Sequence, residues 1–185
     1  MAKKKKIYVV FGLGTLGYIA AEELFQHDAE VLAIDTRQDL VDKIRNSVSR
    51  AVCGDATDEE VLESVGIFDA DVAVVALRNH FETAVLVTHM LRERGMEEIY
   101  VQVDSEREAS AIMALGATEA IFPESDTARN LAKRLVYPNL ADILPLGKHI
   151  GVIEVPITPT FAGKTLSELQ IRREHRVNVV AIKRH

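Results

Sequence analysis

Short, unbroken apolar runs alternate along this chain with longer segments of helical period, and that alternation limits what it can fold into. Ile7–Phe11, Val31–Ile34, Ala51–Cys53, Val72–Leu77, Ile99–Val103 and Ala120–Phe122 are apolar almost throughout, rather than at every second residue. A strand covered by helices on both faces has that composition, whereas a strand with one wet face alternates. Helical segments lie between the runs, at Thr15–Gln26, Gln38–Asn46, Asp58–Val65, Glu82–Arg94 and Glu106–Leu115. Thr57 stands where an N-cap is expected, before the acidic first turn Asp58–Glu60. The pattern predicts an α/β doubly wound parallel sheet. Right-handed crossovers give it the strand order 3-2-1-4-5-6.

The pattern changes after the sixth run. A helix is predicted over Asp126–Tyr137, broken by Pro138, with Pro145 and Gly147 soon after. Ile150–Val155 and Val177–Ile182 read as strands of a second unit. With fewer than fifty residues, that unit is small for an independent core.

Gly12-Leu13-Gly14-Thr15-Leu16-Gly17 follows the first strand and opens the first helix, and Asp35 ends the second strand. This is the context in which G-x-G-x-x-G marks a Rossmann dinucleotide site. Gly12 allows the tight turn, Gly14 lets backbone approach a phosphate, and Gly17 lets the helix pack on the sheet. Free N–H groups at the helix start would face the phosphates. The Asp35 carboxylate can accept from both ribose hydroxyls and would repel a 2′-phosphate.

Other classes of function are disfavoured. The net charge of −6 leaves no basic field for nucleic acid. Lys3–Lys6 form the only basic run, either a solvated arm or a weak contact with an anionic membrane surface. Cys53 is the single cysteine, which excludes a disulfide framework and suits a reducing cytoplasm. No run approaches the length of a membrane span, and Gly12 breaks the first apolar run too early for a signal peptide. Of six histidines only His80, just past the fourth strand, is placed to touch a ligand. No H-E-x-x-H, G-x-S-x-G or P-loop pattern occurs. A small NAD-dependent oxidoreductase, or its isolated cofactor domain, remains the alternative.

Several further runs carry a resemblance. They are Glu30–Asp35, Gly54-Asp55-Ala56-Thr57-Asp58-Glu59-Glu60-Val61-Leu62, Leu115-Gly116-Ala117, Phe122-Pro123-Glu124, Gly163–Leu166 and Val177–Arg184. Together with the glycine loop they resemble the RCK/KTN (TrkA-N type) family, the regulators of potassium conductance. Within that family the chain is most like the Ktr-type regulatory subunits of potassium uptake. The resemblance implies a Rossmann N-lobe over 1–124, a crossover helix over 125–138, and a partial C-lobe over 139–185 that stops short of the family's usual length. It implies a homodimer assembling into an octameric ring on the cytoplasmic, inner face of the cell membrane, bound to a potassium transporter subunit or channel. An adenine nucleotide (ATP or ADP, alternatively NAD(H) or AMP) would then gate ion flux without being consumed.

The ligand site so implied comprises Gly12, Gly14, Thr15, Leu16, Gly17, Asp35, Thr36, Asp55, Ala56, Thr57, Ala76, Arg78, Asn79 and Gln102. Three positions depart from the family pattern. Thr15 stands where an arginine is common, Gln102 where a lysine is common, and Arg78 where a small residue is usual. The first two changes remove positive charge from the phosphate end; Arg78 either restores some of it or is a solvated loop residue. Glu124 is implied as a contact for a divalent cation, Mg²⁺ or Ca²⁺, with a helix-starting glutamate as the alternative.

Overall fold

All six apolar runs become strands of one parallel sheet in the computed structural model, which describes residues 5–136, 143–145, 151–153 and 159–182. The strands are β1 (Ile7–Phe11), β2 (Glu30–Asp35), β3 (Arg50–Cys53), β4 (Val72–Val75), β5 (Glu98–Gln102) and β6 (Glu119–Ile121). They pair in the order β3-β2-β1-β4-β5-β6, as the sequence pattern predicts. The connecting helices are α1 (Thr15–Gln26), α2 (Gln38–Ile44), α3 (Glu59–Ser64), α4 (Phe81–Glu93) and α5 (Glu106–Ala114).

Successive strand residues point to opposite faces, and the core divides accordingly. Val10, Val31 and Ala33 pack with Ala21 of α1 and with Val41 and Ile44 of α2. Phe11, Ile34, Val75 and Val101 pack with Leu62 of α3, Val87 and Leu91 of α4, and Ile112 of α5. Burial on both faces is what makes the strands continuously apolar.

Several boundaries move, for local reasons. β4 ends at Val75 rather than at Leu77. Ala76 still donates its N–H to Phe11 O at 2.8 Å, and the chain then turns, with His80 N–H on Leu77 O at 3.1 Å and Asn79 at φ 64°. Thr57 is not the cap of α3. Its N–H and hydroxyl both donate to Asp55 Oδ1, each at 2.8 Å, and Asp58 caps the helix by accepting from Val61 N–H at 3.2 Å. These two donors, the backbone first, hold the Asp55 carboxyl below the ordinary aspartate range. The helix after β6, α6 (Pro123–Val136), starts at Pro123, three residues before the expected Asp126. A proline suits the first helical position, where no N–H is needed. Tyr137 and Pro138 lie outside the described residues.

Two compact units are distinguished, Met1–Thr127 and Ala128–His185. In the second, β7 (Ile143–Pro145) pairs antiparallel with β8 (Gly151–Ile153). Of the expected strand Ile150–Val155, Gly151–Ile153 is observed as β8, and Ile150, Glu154 and Val155 lie outside the described residues, while β7 falls where Pro145 had suggested a break. Pro145 sits at the end of its strand, where a missing N–H costs least. Val177–Ile182, expected as a strand, is not one. No strand pairs with it among the described residues, and an unpaired strand leaves its backbone groups unsatisfied by a ladder. Two short helices, α7 (Leu166–Leu169) and α8 (Ile171–His175), were not expected. The first is closed by a capping box between Thr165 and Glu168. Among the described residues no helix is long and apolar enough to cross a membrane.

Leu91, 0% exposed, anchors α4 to the sheet. Leu91→Ala is expected to cost about 2–5 kcal/mol in urea unfolding; a loss well below that range would show that the α4 contact is not tightly packed. At Asp55 the ionised form is the one held, so its stabilisation is present above the ordinary aspartate range and is lost as pH falls through the lowered folded value. Thr57→Ala removes one of the two donors. Carbon NMR titration should find the Asp55 midpoint raised toward the ordinary range, and an unmoved midpoint would exclude the hydroxyl contact.

Candidate functional site

Because the sheet is parallel, every residue implicated by the sequence lies at one edge, just beyond the carboxyl ends of the strands. Gly12–Gly17 follow β1, Asp35 ends β2 and Thr36 follows it, Asp55–Thr57 follow β3, Ala76–Asn79 follow β4, Gln102 ends β5, and Glu124 follows β6. The chain runs outward to one side from β1 and to the other from β4. The β1–β4 junction is therefore the switch point where ligands of open α/β sheets sit.

The turn at that junction is held from below. Gly12 N–H donates to Ile34 O at 2.8 Å, and Leu13 N–H donates to Asp35 Oδ2 at 2.7 Å. Gly12 has φ 86°, and a Cβ there would stand 2.6 Å from Ala76 O, so the position needs glycine on both counts. A Cβ on Gly17 would overlap the Gly12 carbonyl oxygen. Gly14 differs: its φ is −64°, and a Cβ there would meet nothing within 4 Å. Its carbonyl accepts from Tyr18 N–H at 2.9 Å. No side chain caps α1, and its first turn carries no acid. Thr15 is exposed and Leu16 half-buried on that turn. The three glycines thus have separate duties, two in packing and one facing open space.

At the β2 end the Asp35 side chain is 9% exposed and already engaged. Besides the Leu13 amide, it accepts Arg37 N–H at 2.8 Å on Oδ1, with Arg37 Nε at 3.5 Å from the same oxygen. Thr36 is exposed, and its carbonyl accepts from Cys53 Sγ at 3.3 Å. Ala56 is buried beside the exposed Asp55 and Thr57. The β1, β2 and β3 ends are therefore stitched together by backbone and carboxylate hydrogen bonds. Leu13 and Arg37 were missed as members of this cluster. Leu13 fills a variable motif position, and its amide matters more than its side chain. Arg37 stands two residues past the strand-ending aspartate, within reach of that carboxylate.

The other half of the edge is governed by charge. Ala76 is buried and the uncharged Gln102 is 8% exposed, whereas Arg78, Asn79, His80 and Glu124 are exposed. Arg78 Nη1 lies 2.8 Å from Glu124 Oε1. The two side chains are 55% and 51% exposed, so the pair contributes only about 0–1 kcal/mol to stability. Among the described residues no group of three or more His, Cys, Asp or Glu side chains converges as a metal site. The carboxylate that the resemblance assigns to a divalent cation meets a guanidinium here.

Known proteins share this fold. Residues 8–123 match the TrkA-N domain family. The Ktr system potassium uptake protein C of Bacillus subtilis is 34% identical over 180 residues, covering 97% of this chain and 81% of that protein. The Ktr system potassium uptake protein A of Vibrio alginolyticus is 28% identical over 179 residues, with the same two shares. The crystal structure of GsuK bound to ADP matches with a TM-score of 0.62 at 25% identity, over 72% of this chain and 34% of that one. With the glycine turn and Asp35 in place at the switch point, the chain belongs to the TrkA-N domain family.

Proposed function

We propose that the chain is a nucleotide-binding regulatory subunit that gates a membrane potassium transporter or channel from the cytoplasmic side. The observation that carries this is the open Gly14 position above an uncapped helix start, set at the switch point beside Asp35. Aligned amides and the helix dipole favour a phosphate there. Potassium-uptake relatives that cover nearly the whole chain support the regulatory role.

The ligand is an adenine nucleotide, with ADP, ATP, NAD(H) and AMP as the candidates. A bound ADP in the GsuK relative supports the class. Gly12, Gly14, Thr15, Leu16 and Gly17 would cradle phosphate. Asp35 and Thr36 would hold the ribose, and Asp55, Ala56 and Thr57 the adenine side. Ala76, Arg78, Asn79 and Gln102 would line the far phosphate end. An ionised carboxylate has about four acceptor sites. Leu13 N–H, Arg37 N–H and, more weakly, Arg37 Nε–H occupy three of them on Asp35, which leaves capacity for a ribose hydroxyl.

The chain would work by binding rather than catalysis, because its crevice assembles amides, a hydrogen-bonded carboxylate and an ion pair. An acid/base pair aimed at a reacting atom would require a different set. A Rossmann lobe over 1–124, a crossover helix over 125–138 and a C-lobe from 139 would couple ligand state to a homodimer and an octameric ring. A nucleotide that binds two ring states unequally shifts the balance between them.

Gly14→Val should abolish calorimetric ADP binding while the melting temperature stays near wild type, because the side chain enters only the space reserved for phosphate. Normal ADP affinity in that variant would remove the glycine turn from the site. Asp35→Ala should weaken ADP by about tenfold or more, as expected for loss of charged hydrogen bonds worth roughly 1.5–3 kcal/mol. Potassium flux into vesicles carrying a Ktr-type membrane subunit tests the regulatory role directly. Flux should differ between ATP and ADP when the chain is added, and identical flux with and without the chain would sink it.

A further inference from the structure

We infer that Arg78 performs at Glu124 the task that the family resemblance gives to a divalent cation, so that this chain binds its nucleotide without one. This rests on the nucleotide site proposed above. It starts from the ion pair itself, with Arg78 Nη1 2.8 Å from Glu124 Oε1.

The pair bridges the strand order. Arg78 lies three residues beyond the end of β4, and Glu124 lies in the first turn of α6, after β6. Between them stands the end of β5, where Gln102 is uncharged and 8% exposed. Arg78 thus crosses one strand end to reach the Glu124 carboxylate. A nucleotide phosphate next to a bare glutamate would meet like-charge repulsion. A metal ion removes that repulsion by binding both groups, and a guanidinium can do the same. It carries five N–H donors in a planar fork, and one suffices for Glu124. The others remain for phosphate oxygens. Its charge is permanent, so the bridge needs no supply of an ion.

The same geometry works against a metal. Mg²⁺ in nucleotide sites is held by one or two carboxylates together with the phosphates, and Ca²⁺ takes about six to eight oxygens. Glu124 offers one carboxylate, with Arg78 on one of its oxygens, and no cluster of three ligating side chains stands near it among the described residues. A cation arriving there would lie beside a guanidinium and at a helix start, both positive. The arginine at 78 and the neutral residues Thr15 and Gln102 thereby form one arrangement. Positive charge is withdrawn from two places and restored at a third, where it also satisfies the glutamate.

ADP titrated calorimetrically in excess EDTA and in saturating Mg²⁺ provides the test, with the full chain as wild type, Arg78→Ala, Arg78→Lys and Glu124→Gln. Wild-type affinity should agree within about twofold between the two buffers. Arg78→Ala should lose about tenfold or more in EDTA and recover part of that loss in Mg²⁺, with Glu124 then free to take the ion. Arg78→Lys should remain indifferent to Mg²⁺. In a parallel arm, Mn²⁺ alone is titrated and followed by its electron paramagnetic resonance signal. Wild type should show no saturable site that Glu124→Gln removes. A wild type that needs Mg²⁺ for ADP, or a saturable Mn²⁺ site lost in Glu124→Gln, overturns the inference and leaves the nucleotide site standing. Absence of ADP binding in either buffer overturns the nucleotide site, and the inference with it.

Discussion

The hydrogen bond from Leu13 N–H to Asp35 Oδ2 is the tie on which the edge of this sheet depends. It joins the turn after β1 to the end of β2, and the neighbouring bond from Gly12 N–H to Ile34 O reinforces it. With the turn pinned there, Gly17 can approach the Gly12 carbonyl closely enough to admit no side chain, and α1 starts in a fixed direction. Gly14 is left as the one glycine of the motif that faces open space. Asp35 therefore has two duties at once. Oδ2 holds the turn after β1, Oδ1 accepts from Arg37, and the acceptor capacity those donors leave is what a ligand could use. A carboxylate that is half structural is oriented before any ligand arrives, so less freedom is lost on binding.

Much of this was legible in the sequence because it rests on local chemistry. Unbroken apolar runs signal strands with two covered faces, and right-handed crossovers leave few strand orders to choose from. The glycine spacing and the strand-ending aspartate follow from the same geometry. What escaped depends on contacts that periodicity does not carry. Thr57 looked like a cap because threonine before an acidic turn usually is one, but the nearby Asp55 carboxylate claimed its donors first. The pairing of Arg78 with Glu124 joins residues far apart in the chain and on either side of β5. Each of the two could be weighed alone as a phosphate contact or a metal ligand, but only the folded chain brings them together. Val177–Ile182 has the composition of a strand, yet composition cannot supply the partner that a strand requires.

The two halves of the carboxyl edge also differ in kind. Around β3, β2 and β1 the bonds run between backbone amides and carboxylates, and the side-chain charges are few and satisfied in place. Around β4, β5 and β6 the order is set by one exposed ion pair and a neutral glutamine. The first half resembles a rigid mould. The second contributes little to folding stability, since exposed pairs are weak. Weakness there has a use, because a pair that holds little can be redistributed at little cost.

That redistribution couples two elements. Arg78 stands on the loop after β4, and Glu124 stands in the first turn of α6. An anion that draws the guanidinium toward itself changes the charge that Glu124 sees at the helix start. By linkage, anything that repositions the start of α6 must change the affinity of that anion by the same free energy. The effect is limited by how differently the pair interacts with the anion in the two arrangements, and tight binding alone shifts nothing. A permanent guanidinium suits this better than a captured ion. It is tethered to β4, so every shift in its position is transmitted through the chain itself, whereas a diffusible cation could leave and take the coupling with it.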